Sequence, residues 1–178
     1  MDLLKKLSIV CICFLSFTSN AHALEWYLGL DGFQWEFQDE NLPDKVDGTS
    51  VRGRLGFVIT QNFVIETQFA APGTESDASS EVDFQNMFTF MAQGVYPIGK
   101  ANLYAVLGVS SVRTSREFGG MTFSGRDNGF SYGLGANFRF SKHLAINGDY
   151  IQYLDKSNMK LGAYSFGLTY YFFSKHKN

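Results

Sequence analysis

Hydrophobic and polar residues alternate with a period of two along most of this chain, which is the pattern of strands with two different faces. In "YSFGLTYYFF", residues 164–173, Tyr164, Phe166, Leu168, Tyr170 and Phe172 fall on one face and Ser165, Gly167, Thr169 and Tyr171 on the other. "FSYGLGANFRF" places Phe130, Tyr132, Leu134, Ala136, Phe138 and Phe140 opposite Ser131, Gly133, Gly135, Asn137 and Arg139. Elsewhere Val51, Leu55, Phe57 and Ile59 oppose Arg52, Arg54 and Gly56; Phe63, Ile65 and Phe69 oppose Glu66 and Gln68; Leu144, Ile146 and Tyr150 oppose Asn147 and Asp149. In "WYLGLDGFQWEF" the alternation changes phase near Gly32, which reads as a β-bulge.

The pattern predicts eight strands, at 26–38, 49–59, 63–71, 83–96, 102–114, 128–140, 143–154 and 162–172. Most reach the roughly 9–11 residues that a tilted strand needs to cross a bilayer. Short links at 60–62, 97–101 and 141–142 alternate with longer polar stretches at 39–48, 72–82, 115–127 and 155–161. An apolar face alone would suit a soluble sandwich or a lipocalin-like barrel. Two features favour a membrane barrel. The small or polar face runs on through the strand middles, as a lumen would, and aromatics gather near strand ends. Trp26, Phe63, Tyr96, Tyr104, Phe138, Phe140, Tyr170 and Phe172 form one belt, with Trp35, Phe37, Phe84, Phe130, Tyr132, Tyr164 and Phe166 towards the other end. The fold class expected is all-β: an eight-stranded, antiparallel, up-and-down transmembrane β-barrel.

The N-terminus follows another logic. "MDLLKKLSIVCICFLSFTSNAHA" has Lys5 and Lys6, then a short apolar run, then Ala21-His22-Ala23, which is the layout of a cleavable signal peptide. Residues 1–23 are expected to be removed and residues 24–178 to form the barrel domain. Both cysteines, Cys11 and Cys13, fall in the signal, so the exported chain carries no disulfide. Removing it lowers Lys+Arg from 15 to 13 and Asp+Glu from 17 to 16, a net charge of −3 with no basicity for nucleic acid. With 18 glycines, 18 phenylalanines, 9 tyrosines and only 3 prolines, strands and tight turns are favoured over a helical bundle.

The stretches "VYPIGKANLYAVLGVSS", "GFSYGLGANFRFSKHLAINGDYIQY" and "YSFGLTYYF" resemble the small outer-membrane β-barrels, the family of opacity proteins, OmpX and the OmpA transmembrane domain. That resemblance covers essentially the whole exported chain. It implies a Gram-negative outer-membrane location, contact with outer-membrane lipids and lipopolysaccharide, and insertion by the barrel assembly machinery. Ser165, Gly167, Tyr170 and Phe172 are similar to the terminal recognition signal for that machinery, although "FSKHKN" follows Phe172 where relatives often stop.

Few side chains invite catalytic chemistry. "GLGANFR" lies inside a strand and lacks the strand–turn–helix setting of a nucleotide loop. Acyl transfer on lipid A would need a histidine beside a serine, with a carboxylate to orient it. Outside the signal only His143 and His176 occur, at a periplasmic turn and in the tail, far from the outer leaflet. Neither catalytic residue, cofactor nor metal ligand is assigned.

The charges say more. Arg52, Arg54, Glu66, Arg139 and Asp149 face the lumen and form either a selectivity filter or an ion-paired plug; an eight-stranded interior favours the plug. Glu75, Asp77 and Glu81 make the stretch 72–82 acidic. Arg113, Arg116, Arg126, Lys156 and Lys160 cluster in or beside the third and fourth outer loops, where they could hold lipopolysaccharide phosphates. Phe118, Met121 and Phe123 could dock on a host or partner surface. The expected role is non-enzymatic: a monomer serving envelope integrity, lipopolysaccharide engagement or surface interaction. The alternatives are a narrow porin-like channel and a lipid A-modifying enzyme.

Overall fold

The computed structural model describes residues 25–39, 46–71, 74–75, 82–118, 121–156 and 159–173; the predicted signal, Asp77, Glu81 and residues 174–178 lie outside them. It has nine strands: β1 (Glu25–Asp39), β2 (Val46–Thr60), β3 (Phe63–Ala70), β4 (Thr74–Glu75), β5 (Val82–Ile98), β6 (Ala101–Phe118), β7 (Met121–Arg139), β8 (Leu144–Lys156) and β9 (Met159–Phe173). Eight of them pair antiparallel with their sequence neighbours. β1 then pairs with both β2 and β9, which closes an eight-stranded barrel. The two residues of β4 only extend the edge of β2, at Gly48 and Thr49. As expected, the last strand meets the first: Trp26 lies opposite Phe172 and Gln38 opposite Lys160.

The outward side chains are those that water rejects. Leu30, Leu134, Tyr164 and Phe166 are each more than 60 % exposed. Fully burying a side chain of this size contributes about 1.5–3 kcal/mol, a gain that here falls to lipid tails. The lower belt contains Tyr96, Phe138, Phe140, Tyr170 and Phe172, and Trp26 stacks on Phe172 at 3.9 Å. Phe130, Tyr132, Tyr164 and Phe166 form the upper belt. Three residues expected in the belts point inward instead: Tyr104, Trp35 and Phe37 are 5 %, 2 % and 2 % exposed. The side chain of Phe84 lies outside the description.

No bulge interrupts β1. Its register with β2 and with β9 runs unbroken through Gly32. What changes at Gly32 is the surroundings. Leu28 and Leu30 face outward below it, whereas Gln34, Glu36 and Gln38 face outward above it and Phe33, Trp35 and Phe37 fill the interior. Outside the strand, lipid gives way to water, so the two faces exchange polarity while the backbone continues straight. The same exchange occurs on β8, where Asn147 and Asp149 face inward below Ile151 and Tyr153. On β9, Tyr164 and Phe166 face outward below Lys160, while Leu161 and Ala163 are interior. The bulges lie elsewhere, between Val58 and Thr60, Phe84 and Asn86, and Gln152 and Leu154; the last leaves both Tyr153 and Leu154 buried.

The outer stretches are also less loop-like than their composition suggests. β6 and β7 pair as far as Phe118 opposite Met121, so most of 115–127 is a protruding hairpin. β8 and β9 likewise pair as far as Lys156 opposite Met159. Serine, glycine and asparagine read as loop residues, yet in a hairpin that stands in water they are what exposed strand faces carry.

Candidate functional site

The lumen has three layers. Uppermost is an apolar core that includes Trp35, Phe37, Met87, Val112, Tyr153, Leu154 and Leu161. In the middle lies a charged layer in which Arg52, Arg54, Glu66 and Asp149, all anticipated from period two, meet Asp31, which was not. Arg52 Nε and Nη2 donate to Asp31 Oδ2 at 2.9 and 2.6 Å; Nη1 and Nη2 donate to Asp149 Oδ1 and Oδ2 at 3.1 and 2.8 Å. The same guanidinium donates to Ser165 Oγ and to the Tyr153 hydroxyl, both at 2.6 Å. Arg54 donates to Glu66 Oε2 and Asp31 Oδ1 at 3.3 Å and to Thr169 Oγ1 at 2.8 Å. Its Nε sits 2.7 Å from Asp31 Oδ2, a charge contact rather than an aligned hydrogen bond.

Neutral donors complete the shell of each carboxylate. Asn147 donates to Asp31 Oδ1 at 2.8 Å, Tyr104 to Asp149 Oδ2 at 3.0 Å, and Ser165 to Asp149 Oδ1 at 2.5 Å. Gln68 donates to Glu66 Oε1 at 2.6 Å, and the Tyr27 hydroxyl donates to Glu66 Oε2. Two guanidiniums and three carboxylates thus cross-link β1, β2, β3, β8 and β9 in a layer from which solvent is almost absent. Buried charges are tolerated where they are paired and hydrogen-bonded like this. Gly167 makes room for it: a Cβ there would come within 2.2 Å of both Asp31 Oδ1 and the Leu30 carbonyl oxygen.

Below the charged layer the lumen opens as a cavity of about 830 Å³ at the end bearing the short turns. Arg139 lies there, apart from the other four charges, donating to Glu25 Oε1 at 3.0 Å with its guanidinium 3.9 Å from the Tyr171 ring centre.

The structure divides the five basic residues of the outer end. Arg113 and Arg126 occupy directly opposite positions on β6 and β7, both exposed and outward, and among the described residues neither forms an ion pair. Lys156 binds Asp127 at 3.0 Å. Lys160 lies across from Asp155 on the neighbouring strand. Arg116 sits opposite Phe123; its side chain, and those of Phe118, Met121 and Phe123, lie outside the description. Among the described residues no group of three or more His, Cys, Asp or Glu is placed to hold a metal ion.

This closed barrel, with a lipid-facing exterior and a packed interior, defines the class of small bacterial outer-membrane β-barrels. A family model for the outer membrane protein β-barrel domain matches residues 8–172, and the chain belongs to that family. Among solved structures it is similar to Ail, the attachment invasion locus protein of Yersinia pestis, with a TM-score of 0.65 and 18 % identity over 85 % of this chain and 99 % of Ail. Neisserial surface protein A gives 0.70 and 16 % identity over 82 % and 96 %, and OprG from Pseudomonas aeruginosa 0.60 and 13 % over 86 % and 98 %. Ail has also been solved in complex with the heparin analogue sucrose octasulfate; that chain gives a TM-score of 0.62 and 18 % identity over 84 % and 99 %. No curated protein sequence matches this chain. The barrel resides in the bacterial outer membrane, and its short turns and the two ends of the described chain lie at the same end of the barrel.

Proposed function

We propose that this protein is a non-enzymatic, monomeric surface barrel whose lumen is structural and whose β6–β7 hairpin engages anionic groups of the outer surface, lipopolysaccharide phosphates foremost. The observation that carries this reading is the placement of Arg113 opposite Arg126. Like charges facing across a strand pair are destabilising. Both guanidiniums become favourable once a phosphate or sulfate lies between them, since each can give two parallel hydrogen bonds to such a group. Their height agrees. They stand two outward residue pairs beyond Val109–Phe130, the last apolar outward pair among the described side chains of this hairpin. Four residues along a strand rise about 13 Å, or about 10 Å along the membrane normal at a tilt of ~40°, which reaches the headgroup layer. The octasulfate complex of Ail supports a polyanion as the kind of ligand such a barrel can hold.

Lys156 contributes little here, because Asp127 already neutralises it, and Lys160, across from Asp155 and near Glu36, adds little more; Arg116 stands as a secondary contact. Envelope integrity follows from bridging neighbouring lipopolysaccharide molecules. In the same reading residues 1–23 direct export, and Ser165, Gly167, Tyr170 and Phe172 present the strand that the assembly machinery recognises. The test is binding of sucrose octasulfate and of lipopolysaccharide to the folded protein in detergent, against Arg113→Gln/Arg126→Gln. A loss of at least tenfold, together with a shallower salt dependence, is expected. Equal affinity in the double variant would overturn the assignment.

A further inference from the structure

A groove of about 280 Å³ lies on the outer wall where β8, β9 and β1 run side by side at the top of the upper belt, away from both the charged lumen and the arginine pair. Tyr150, Tyr164, Gln152, Glu36 and Lys160 line it, with Gly162 at its base. The two tyrosine rings lie 4.6 Å apart and inclined at 47°. The Tyr150 hydroxyl donates to Gln152 Oε1 at 3.0 Å, and Gln152 Nε2 donates to the Leu154 carbonyl at 2.8 Å, so the amide is held in one orientation. A Cβ on residue 162 would lie 2.6 Å from the Tyr150 hydroxyl and 2.9 Å from Gln152 Oε1, so the absence of a side chain lets the tyrosine and the amide pack down against β9 and set the shape of the groove.

The lining selects its ligand. The volume lies just below the range of ligand pockets, ~300–1,000 Å³, and takes one ring rather than a chain. One carboxylate and one ammonium balance each other, which disfavours a phosphate beside Glu36 and favours a neutral polar group. A fixed amide, a carboxylate and an ammonium offer donors and acceptors to adjacent hydroxyls, while the tyrosines offer flat apolar faces to C–H groups. A purely apolar ligand would leave this polar lining unsatisfied. We propose that the groove binds one pyranose ring, presented at the membrane surface by a glycolipid headgroup or as a free saccharide.

The experiment uses the folded full-length protein in amine-oxide micelles, which contain no sugar, and saturation-transfer NMR with methyl glucoside and methyl glucosaminide. A second arm uses phospholipid vesicles with and without a monoglucosyl diacylglycerol. Saturable transfer in either arm is expected, and which arm gives it identifies the source. Gln152→Ala and Tyr164→Ala, confirmed as folded by the mobility of unboiled samples on a gel, should weaken it at least fivefold. Arg113→Gln/Arg126→Gln should leave it unchanged, so failure of this site and failure of the polyanion reading are separable. No transfer in both arms, or transfer indifferent to the two groove variants, would overturn the proposal.

Discussion

Replacing Arg52 by methionine is the sharpest probe of the lumen. The side chain is fully buried, and it bonds Asp31 on β1, Asp149 on β8 and Ser165 on β9. Methionine matches the stem but removes every donor. Asp31 keeps Arg54 and Asn147, whereas Asp149 is left with only the Tyr104 and Ser165 hydroxyls against its full charge. Breaking one buried pair costs about 3–5 kcal/mol, chiefly through the charge left behind. Urea unfolding in phospholipid vesicles, followed by the fluorescence of Trp26 and Trp35, should show that loss. Adding Asp149→Leu removes the orphaned carboxylate, so the double variant should regain a large part of the stability, a coupling measured by the double-mutant cycle. The wild-type midpoint should vary little with salt, because a dry pair is screened far less than an exposed one. A loss below about 1 kcal/mol, the range of exposed pairs, would refute the reasoning. So would a double variant no more stable than Arg52→Met.

Other expectations follow from the same geometry. Gly167→Ala forces a Cβ against the Leu30 carbonyl and Asp31, so it should fail to refold even in detergent, whereas Phe172→Ala should refold in detergent yet assemble poorly in cells. Equal behaviour in both settings would remove the recognition role from Phe172. In a Trp26→Phe protein the remaining Trp35 should be quenched only weakly by lipids brominated on their tails, since that side chain is 2 % exposed and inside the barrel; strong quenching would place it back in the belt. Planar bilayers holding the wild-type protein should remain electrically silent, and regular open-channel steps would contradict a lumen closed by the apolar core and the charged layer.

Strand number, turn positions and the inward direction of the five expected lumen charges were legible because period two survives wherever lipid lies on one side and the lumen on the other. Asp31 was missed for a definite reason. Counting forward by twos from Tyr27 and Gly29 would have placed it inside, but the phase change at Gly32 suggested a bulge and broke the count. Trp35 and Phe37 were misplaced by the same assumption, that apolar means outward along the whole strand. Above the membrane that assumption reverses. The protruding β6–β7 hairpin was hidden for a related reason: its exposed faces are made of the residues that elsewhere signal loops. The arginine pair divided from its lysine neighbours through register, which fixes Arg113 against Arg126 and which no one-strand pattern contains. The outer-wall groove was equally invisible, because its lining brings β1, from one end of the chain, beside β8 and β9 at the other.

The exchange of polarity at Gly32 also bears on how the barrel is held in place once made. Glu36, Arg113, Arg126 and Lys160 stand outward on strand tips beyond the lipid-facing band. Each tip has to pass the hydrocarbon layer on the way out, and returning would carry the same penalty, up to about 2–4 kcal/mol for each basic side chain at the midplane. The tips therefore behave as barbs. They make unassisted entry slow and retreat slower still, so the orientation given to the barrel at insertion becomes permanent without a lock of any other kind.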